Sequence, residues 1–327
     1  MGGAGLHVPL NAGADFLVVC WGVCFSGRLG IAIALRGCQG TGKTMVGKTT
    51  GSLIDAHYLL VDDPRYLLGE FNAHLAQRIF LQADKAFWSG DDSGVGRLKS
   101  PITSDTQMLE HKGVDPIRVS NYSRLMITSN EDCAVPAGLD DRRWLSIDVG
   151  QERRQDGAYF EQLHDHFFAG EKGARNRAAL LWELLHHPLD MARLRSPPRT
   201  QALFGHKMRT LGPVYVFWLD RLTEGATLPG MGWLEVVPKA RLRGAYDASC
   251  DRIGQRHKGG DREFSIALRK LVPELSTTKC EVSVGSEQMD NADQRRVHAF
   301  RFPPLETCRT YFEELMGQPI MWGETTA

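Results

Sequence analysis

The sequence carries no excess of charge of either sign. Its 39 lysines and arginines balance 39 aspartates and glutamates, so the 327 residues have a formal net charge of zero. This balance excludes a protein that coats nucleic acid by bulk positive charge, and equally one with a long acidic tail. A polyanionic partner must therefore bind a local patch of basic residues. The 42% hydrophobic content is typical of a globular chain, and the length allows about two domains.

Cysteine is sparse and irregularly spaced. The seven cysteines are an odd number and lack the dense pattern of a small secreted domain, which favours a reducing cytosol. Cys20 and Cys24 lie four residues apart, but no second Cys or His pair has the spacing that would complete a zinc site. The pattern therefore disfavours structural zinc.

Long hydrophobic runs are also lacking. The candidate targeting segment, Phe16 to Phe25, has about ten residues against about 20 for a membrane span, and no Lys or Arg precedes it. Leu6 stands where a myristoylation signal requires Ser or Thr. We expect a soluble cytoplasmic protein with no membrane partner.

Short apolar runs that end in polar residues follow the first 28 residues. The runs 31–35, 78–83 and 124–128 predict buried parallel strands, and a further strand is expected at 144–149. The segment 108–119 predicts a β-hairpin with Lys112-Gly113 at its turn. In an open α/β sheet, ligands bind at the carboxyl ends of the strands, so the polar residues there are the first candidates for a site.

Beyond residue 150 the pattern becomes helical. Helices are expected at 159–168, at 177–187 and through Trp218 and Leu222, and the loop-like stretch 223–232 is the candidate linker.

The end of the chain has a different order of elements. Helices near 242–255 and 264–271 precede strand-like runs at 279–284 and 297–302, which is the order of a winged helix. Basic residues exceed acidic ones between 239 and 270, and Arg295 and Arg296 precede the last strand. This excess suits either a DNA backbone contact or a solvated helix surface.

The segment Gly37–Thr44, GCQGTGKT, matches the pattern G-x-x-x-x-G-K-[ST] directly after a predicted strand. In such a loop, backbone N–H groups surround phosphate oxygens, the lysine reaches the β and γ phosphates, and the hydroxyl ligates Mg²⁺. The nucleotide-binding residues predicted on this basis are Gly37, Gly40, Thr41, Gly42, Lys43 and Thr44. The sequence thus predicts that a nucleoside triphosphate binds at this loop with Mg²⁺.

Other polar residues near strand ends suit catalysis. Asp84 is placed to hold Mg²⁺ together with Thr44, and Asn130 is placed to orient the attacking water, although both residue types are also common at strand ends and turns. Arg142 or Arg143 suits an arginine finger that reaches a neighbouring subunit, or else pairs with the adjacent aspartates.

Taken in order, these motifs resemble the superfamily 3 helicases of the phage and plasmid primase-helicase type, related to the poxvirus primase-helicase. The resemblance covers roughly 31–310 and rests on GCQGTGKT (37–44), GEFNAHL (69–75), LQADKAFWSGD (81–91), LEHKGVD (109–115), ITSNEDCAVPAG (127–138) and DDRRW (140–144). It implies an ATP-dependent replication helicase of a phage or mobile element in a bacterial host cytoplasm. Such a helicase forms a ring, commonly a hexamer, with ATP bound between subunits and single-stranded DNA in its channel. The resemblance also implies that His111 and Lys112, at the hairpin tip, contact DNA.

One residue departs from that family. Lys85 stands where an acid usually follows the magnesium aspartate, so water must be activated by another group such as Glu131, or hydrolysis is weak. The alternative function is therefore a nucleotide-gated DNA-binding module with little turnover. A kinase or GTPase is disfavoured because acceptor-site and guanine-specificity motifs are lacking.

These expectations combine into an α/β chain with an AAA+-like P-loop domain built on a parallel sheet. The expected divisions are a poorly specified lead-in (1–28), the ATPase domain with a helical extension (29–222), a winged-helix-like DNA-binding domain (233–310) and a tail (311–327). This leaves no room for a primase domain, so a separate primase or replication partner is expected.

Overall fold

The structure is a computed structural model that describes residues 30–63, 65–69, 71–84, 98, 101–130, 135, 137–139, 141–188, 199–284 and 293–322. The predicted lead-in 1–28, the Cys20–Cys24 pair, Lys85 and Glu131 lie outside these residues. The chain forms two compact units, Met1–Lys207 and Met208–Ala327. No helix within the described ranges is long and apolar enough to cross a membrane.

A parallel five-stranded sheet forms the centre of the first unit. Its strands, in the order β2-β3-β6-β1-β7, are β2 (Tyr58–Val61), β3 (Phe80–Asp84), β6 (Arg124–Ser129), β1 (Ala32–Arg36) and β7 (Trp144–Asp148). Four of them confirm the strands predicted from apolar runs. The edge strand β2 was not predicted, although its four residues are all apolar; the run is short, and three of the four are only half-buried in the structure.

Both faces of this sheet are covered, which explains its continuous apolar strands. In β1, Ala32 and Ala34 belong to one hydrophobic cluster, whereas Ile33 and Leu35 belong to the other. Alternate side chains of a strand point to opposite faces, so a strand buried on both sides shows no polar alternation.

Among the described residues, the helices with defined bounds that accompany the sheet are, in chain order, α1 (Lys43–Gly51), α2 (Arg65–Leu68), α3 (Gly157–Phe168), α4 (Gly170–His186) and α5 (Gln201–Leu211). Asp156 caps α3, because its side chain accepts a hydrogen bond from the backbone N–H of Tyr159 at 3.0 Å. The α3 helix confirms the prediction at 159–168, and α4 begins seven residues before the predicted helix at 177.

The predicted hairpin is present as a separate two-stranded sheet of β4 (Thr106–His111) and β5 (Val114–Ser120). His111 pairs with Val114, so Lys112 and Gly113 form the two-residue turn, as the sequence predicts. Asn72 holds the first strand: its Nδ2 donates to Met108 O and its Oδ1 accepts from Glu110 N, both at 2.9 Å.

The second unit combines helices with a three-stranded antiparallel sheet of order β8-β10-β9. Its elements in chain order are α6 (Pro213–Glu224), β8 (Val236–Pro238), α7 (Lys239–Arg252), α8 (Asp261–Leu271), β9 (Ser276–Val284), β10 (Asp293–Arg301) and α9 (Leu305–Met316). The order helix, helix, ribbon predicted from the sequence is therefore present.

The division between the units differs from the one expected at 223–232. The helix α6 packs within the second unit, where Phe217 contacts Tyr246 with ring centroids 5.6 Å apart and Trp218 stacks on Phe302 at 5.6 Å. The stretch expected to be a linker is a packed loop, since Ala226 and its two following neighbours are buried.

The division expected at 310/311 also differs, because it falls inside α9. Phe312 and Met316 of this helix are buried, so the last described part of the chain belongs to the core of the second unit.

Candidate nucleotide site

The glycine-rich loop connects β1 to α1 at the carboxyl edge of the sheet. Gly42 is the residue before the first helical residue and has a φ of 86°, in the left-handed region that favours glycine. An added Cβ there would also lie 2.6 Å from Cε1 of Phe160. The loop therefore leads directly into the amino terminus of α1, where free backbone N–H groups favour the binding of anions.

Lys43 is folded back into this loop. Its Nζ donates to Gly37 O at 2.8 Å, to Cys38 O at 2.7 Å and to Thr41 Oγ1 at 3.3 Å, and the residue is only 6% exposed. Burial lowers the pKa of the Lys43 ammonium, while the nearby Cys38 side chain and the Asp84 carboxylate partly oppose that shift. The loop thus holds a cation whose present partners are neutral oxygens, which a phosphate oxygen can replace.

Asp84 joins three elements. Its carboxylate accepts from Thr44 Oγ1 at 3.2 and 3.3 Å and from Thr128 Oγ1 at 2.7 Å. The last residue of β3 thereby contacts α1 on one side and β6 on the other. Thr128 was not predicted as part of the site. Its position at the end of the third apolar run is the sequence feature that could have indicated it.

The donors around Asp84 fit a magnesium ion. One carboxylate and two hydroxyls are hard oxygen ligands, and Mg²⁺ is commonly held by one or two carboxylates with water and substrate phosphates completing the shell. No cluster of three or more His, Cys, Asp or Glu side chains that could hold a metal occurs in the part of the chain that the structure describes. Of the donors around Asp84, the predicted pair Thr44 and Asp84 would hold the ion.

Asn130 lies at the same edge of the sheet. It directly follows β6, whose Ser129 O accepts from Gly37 N at 3.2 Å, and it is exposed. The structure thus brings four predicted residues to one edge: Lys43, Thr44, Asp84 and Asn130.

Arg142 and Arg143 lie at the opposite edge. They precede β7, and the carbonyl of Arg143 accepts from Ala32 N at 2.7 Å, at the start of β1. The loop begins five residues later, about 16 Å along the strand at ~3.3 Å per residue. Arg143 pairs with Asp141 at 3.5 Å, while Arg142 is exposed. The structure does not bring these arginines to the loop of their own chain.

His111 and Lys112 are exposed at the tip of the β4–β5 hairpin, which is not part of the five-stranded sheet. They thus lie on a different sheet from Asp84.

A segment more than 100 residues further along the chain covers the loop and was not predicted as part of the site. Gln155 N donates to Gly40 O at 2.9 Å, and the Phe160 ring lies against Gly42. Arg36 donates to Asp148 through Nε at 2.5 Å and through Nη2 at 2.8 Å, which fixes the ends of β1 and β7 beside the loop. No local motif marks these residues, since each contact joins segments more than 100 residues apart.

Two comparisons with known proteins match part of the chain. Residues 35–143 match the model of a family described as a family of unknown function, DUF5906. A stretch of 124 residues is 26% identical to the DNA primase-polymerase of Nitratiruptor phage NrS-1. The matched stretch covers 37% of this chain and 17% of the phage protein. The chain therefore matches less than a fifth of that relative.

Solved structures show the same fold over a longer range. The apo structure of the NrS-1 C-terminal region, residues 305–718, has a TM-score of 0.55 at 16% identity, covering 88% of this chain and 71% of that one. A second form of the same region has a TM-score of 0.56 at 17% identity, with 88% and 70% covered. The chain is thus similar in sequence to a phage primase-polymerase and shares the fold of the NrS-1 C-terminal region.

Proposed function

We propose that the protein is an ATP-dependent DNA helicase or translocase of the superfamily 3 type, which acts in the replication of a phage or related mobile element. The observation that carries the proposal is the cluster of Lys43, Thr44 and Asp84 at the carboxyl edge of a parallel sheet, directly after a glycine-rich loop. The similarity to a phage primase-polymerase supports a role in replication.

In this proposal the loop is a P-loop. Lys43 exchanges its bonds to the carbonyls of Gly37 and Cys38 for bonds to the β and γ phosphates of ATP. Thr44 and Asp84 hold the magnesium ion, and Asn130 orients the attacking water. Bound Mg²⁺ supplies positive charge that neutralises the phosphates during transfer.

The two arginines act on a neighbouring copy. Arg142 or Arg143 lies at the edge opposite its own loop, so it suits an arginine finger that reaches the ATP of the adjacent protomer in a ring, for which we propose six subunits. Closure of each interface around ATP then moves the hairpin tip, His111 and Lys112, along single-stranded DNA in the central channel.

The second unit is proposed to be a winged helix that binds the DNA backbone. Its order α6, β8, α7, α8, β9, β10 matches helix, strand, two helices and a β-ribbon. Basic side chains exposed on and between α7 and α8 are Arg241, Arg252, Arg256, Arg262, Arg269 and Lys270. Some basic residues of this region are paired with carboxylates, such as Arg243 with Asp247 at 3.0 Å and Arg252 with Asp220 at 3.5 Å, and these suit the alternative of a solvated surface.

Lys85 favours a second candidate function. A charged lysine beside Asp84 cannot accept a proton from water, so the protein would assemble on DNA when it binds ATP and hydrolyse it slowly. A separate primase or replication partner would then complete the replication machinery.

Steady-state ATP hydrolysis, measured with and without single-stranded DNA, tests the helicase proposal. We expect turnover that DNA stimulates in the wild type and that Lys43→Ala removes. Wild-type turnover indistinguishable from that of Lys43→Ala, with a large gain in Lys85→Glu, would instead support the nucleotide-gated module. ATP affinity that Lys43→Ala leaves unchanged would contradict the site assignment itself.

A further inference from the structure

A buried glutamine interrupts the apolar strand that leads to the candidate metal site. Gln82 lies two residues before Asp84 in β3 and has 0% of its surface exposed. A buried amide is unfavourable unless its polar atoms are hydrogen-bonded, so its partners indicate why it is tolerated.

Both ends of the Gln82 side chain are hydrogen-bonded. Tyr58 in β2 donates its hydroxyl to Oε1 at 2.5 Å, and Nε2 donates to the carbonyl of Thr44 at 3.1 Å. The Thr44 carbonyl lies in the first turn of α1, and a carbonyl can accept a second bond beside the one inside the helix. Gln82 therefore ties the sheet to the backbone of a residue that also contacts Asp84 through its hydroxyl.

Tyr58 is suited to donate this bond. Burial raises the pKa of its hydroxyl, and the nearby Asp84 carboxylate raises it further, so the group stays protonated. The ring also stacks on Phe80, with centroids 5.7 Å apart, which fixes its direction.

The α1 helix has two glycines that match this pair. A Cβ on Gly47 would lie 2.1 Å from Gln82 Oε1, and a Cβ on Gly51 would lie 2.4 Å from the Tyr58 ring. Residues four apart lie on the same face of a helix, so both glycines face the pair. A glycine in a helix interior costs about 1 kcal/mol relative to alanine, which the close approach of α1 to the sheet offsets.

We propose that Gln82 and Tyr58 are positioning residues that set the distance between the first turn of α1 and β3, and so tune the Mg²⁺ affinity of the Thr44–Asp84 pair. This inference rests on the proposed nucleotide function. Neither side chain needs to touch the nucleotide or the metal; both act through Thr44.

Binding of a fluorescent ATP analogue, with Mg²⁺ titrated and separately in EDTA, tests the proposal in the full chain. Gln82→Met keeps the volume but removes both hydrogen bonds, and it should raise the Mg²⁺ concentration needed for tight binding about tenfold, as loss of a group behind a metal ligand does. Affinity in EDTA should change less than about twofold in the same variant, because Lys43 and the loop glycines are intact.

Two further variants keep the test decisive. Tyr58→Phe removes one hydroxyl with little risk to folding and should shift the Mg²⁺ dependence in the same direction by a smaller factor. Ser146→Ala, at an equally buried polar residue of β7, is the matched control and should leave it unchanged.

The possible failures are distinguishable. Wild-type Mg²⁺ dependence in both Gln82→Met and Tyr58→Phe would overturn the positioning role while leaving the nucleotide function standing. An equal loss with Mg²⁺ and in EDTA would also overturn it, since that indicates general damage to the loop. No binding of the analogue to wild type would overturn both proposals.

Discussion

The two edges of the five-stranded sheet differ in what their buried polar groups contact. At the carboxyl edge, Lys43, Thr128 and Ser129 are buried polar residues. At the amino edge, the start of β7 is the buried Trp144, and the charged Arg142 lies outside on the surface. The amino edge also buries Asn121, Ser123 and Asp141, but these residues hydrogen-bond to nearby backbone groups. At the carboxyl edge, by contrast, polar groups surround the charged Lys43 and Asp84. Polar groups arranged around a cation and a carboxylate indicate a binding site, whereas those at the amino edge serve loop structure and packing.

Removing the Lys43 side chain should abolish ATP binding at the carboxyl edge while leaving the fold of that edge intact. In Lys43→Ala, we expect ATP binding to fall below detection, because the loop loses its cation for the β and γ phosphates. The thermal unfolding transition should stay close to that of wild type, since burial already disfavours the charged form of this lysine in the folded state. Calorimetric titration with ATP and a thermal melt measure the two effects.

Lys48→Ala is the matched control, because Lys48 is an exposed lysine on the same helix. It should retain wild-type ATP affinity. Equal losses in the two variants would mean that general positive charge, and not the loop geometry, attracts the nucleotide.

Mixing two inactive variants tests whether the amino edge serves a neighbouring copy. Asp84→Asn and Arg143→Ala should each lower ATP turnover by about 10³, the effect of losing a metal ligand or an arginine finger. Their mixture should recover activity, because an intact Asp84 from one subunit meets an intact Arg143 from the next. The assay uses wild type or Lys85→Glu as the background, whichever turns over faster.

Arg142→Ala, mixed with Asp84→Asn in the same way, decides between the two arginines. A mixture no more active than the sum of its parts would remove the trans role and leave the Arg143–Asp141 pair as a structural contact.

Trp144→Ala should show that the amino edge is mainly a packing site. Trp144 is 1% exposed and belongs to the cluster that contains Ala32 and Ala34, so truncation is expected to lower the free energy of unfolding by about 3–5 kcal/mol. Trp182→Ala, at a tryptophan that is 60% exposed on α4, should stay within about 0.5 kcal/mol of wild type. Chemical denaturation of the three proteins measures this, and similar losses in both variants would contradict the assignment of Trp144 to the core.

Short sequence patterns predicted those elements whose signal lies within a few neighbouring residues. The apolar run before the glycine-rich loop predicted β1, and the Lys112-Gly113 turn predicted the hairpin, because a strand buried on two faces and a two-residue turn each leave a short signature.

Long-range contacts were the limit of sequence reasoning. Gln82 is bonded to Tyr58 and Thr44, 24 and 38 residues away, and its amide looked like an ordinary interruption of an apolar run. The amphipathic pattern of α6 predicted a helix, but not that its buried Trp218 packs on Phe302 in the second unit. A hydrophobic face predicts that a helix packs against another element. It does not identify that element, because the topology of the fold determines which one it is.

The smallest expected effect concerns the second unit, where charge is exposed and not buried. Arg296 on β10 pairs with Glu281 on β9 at 3.2 Å and its side chain is 75% exposed, so the ion pair contributes little to stability. If the β-ribbon contacts the DNA backbone, Arg296→Ala should weaken binding to DNA of any sequence and reduce the slope of log affinity against log salt by about one. Fluorescence anisotropy with labelled DNA over a range of salt concentrations measures that slope.

Arg301→Ala provides the control on the same strand. Arg301 is five residues from Arg296, so its side chain points to the opposite face of β10, and it pairs with Glu235 at 3.6 Å. The salt slope should be unchanged in this variant. A reduced slope in both variants would mean that DNA binding is not specific to one face of the ribbon. An unchanged slope in both would favour the alternative in which these arginines are only solvated surface residues.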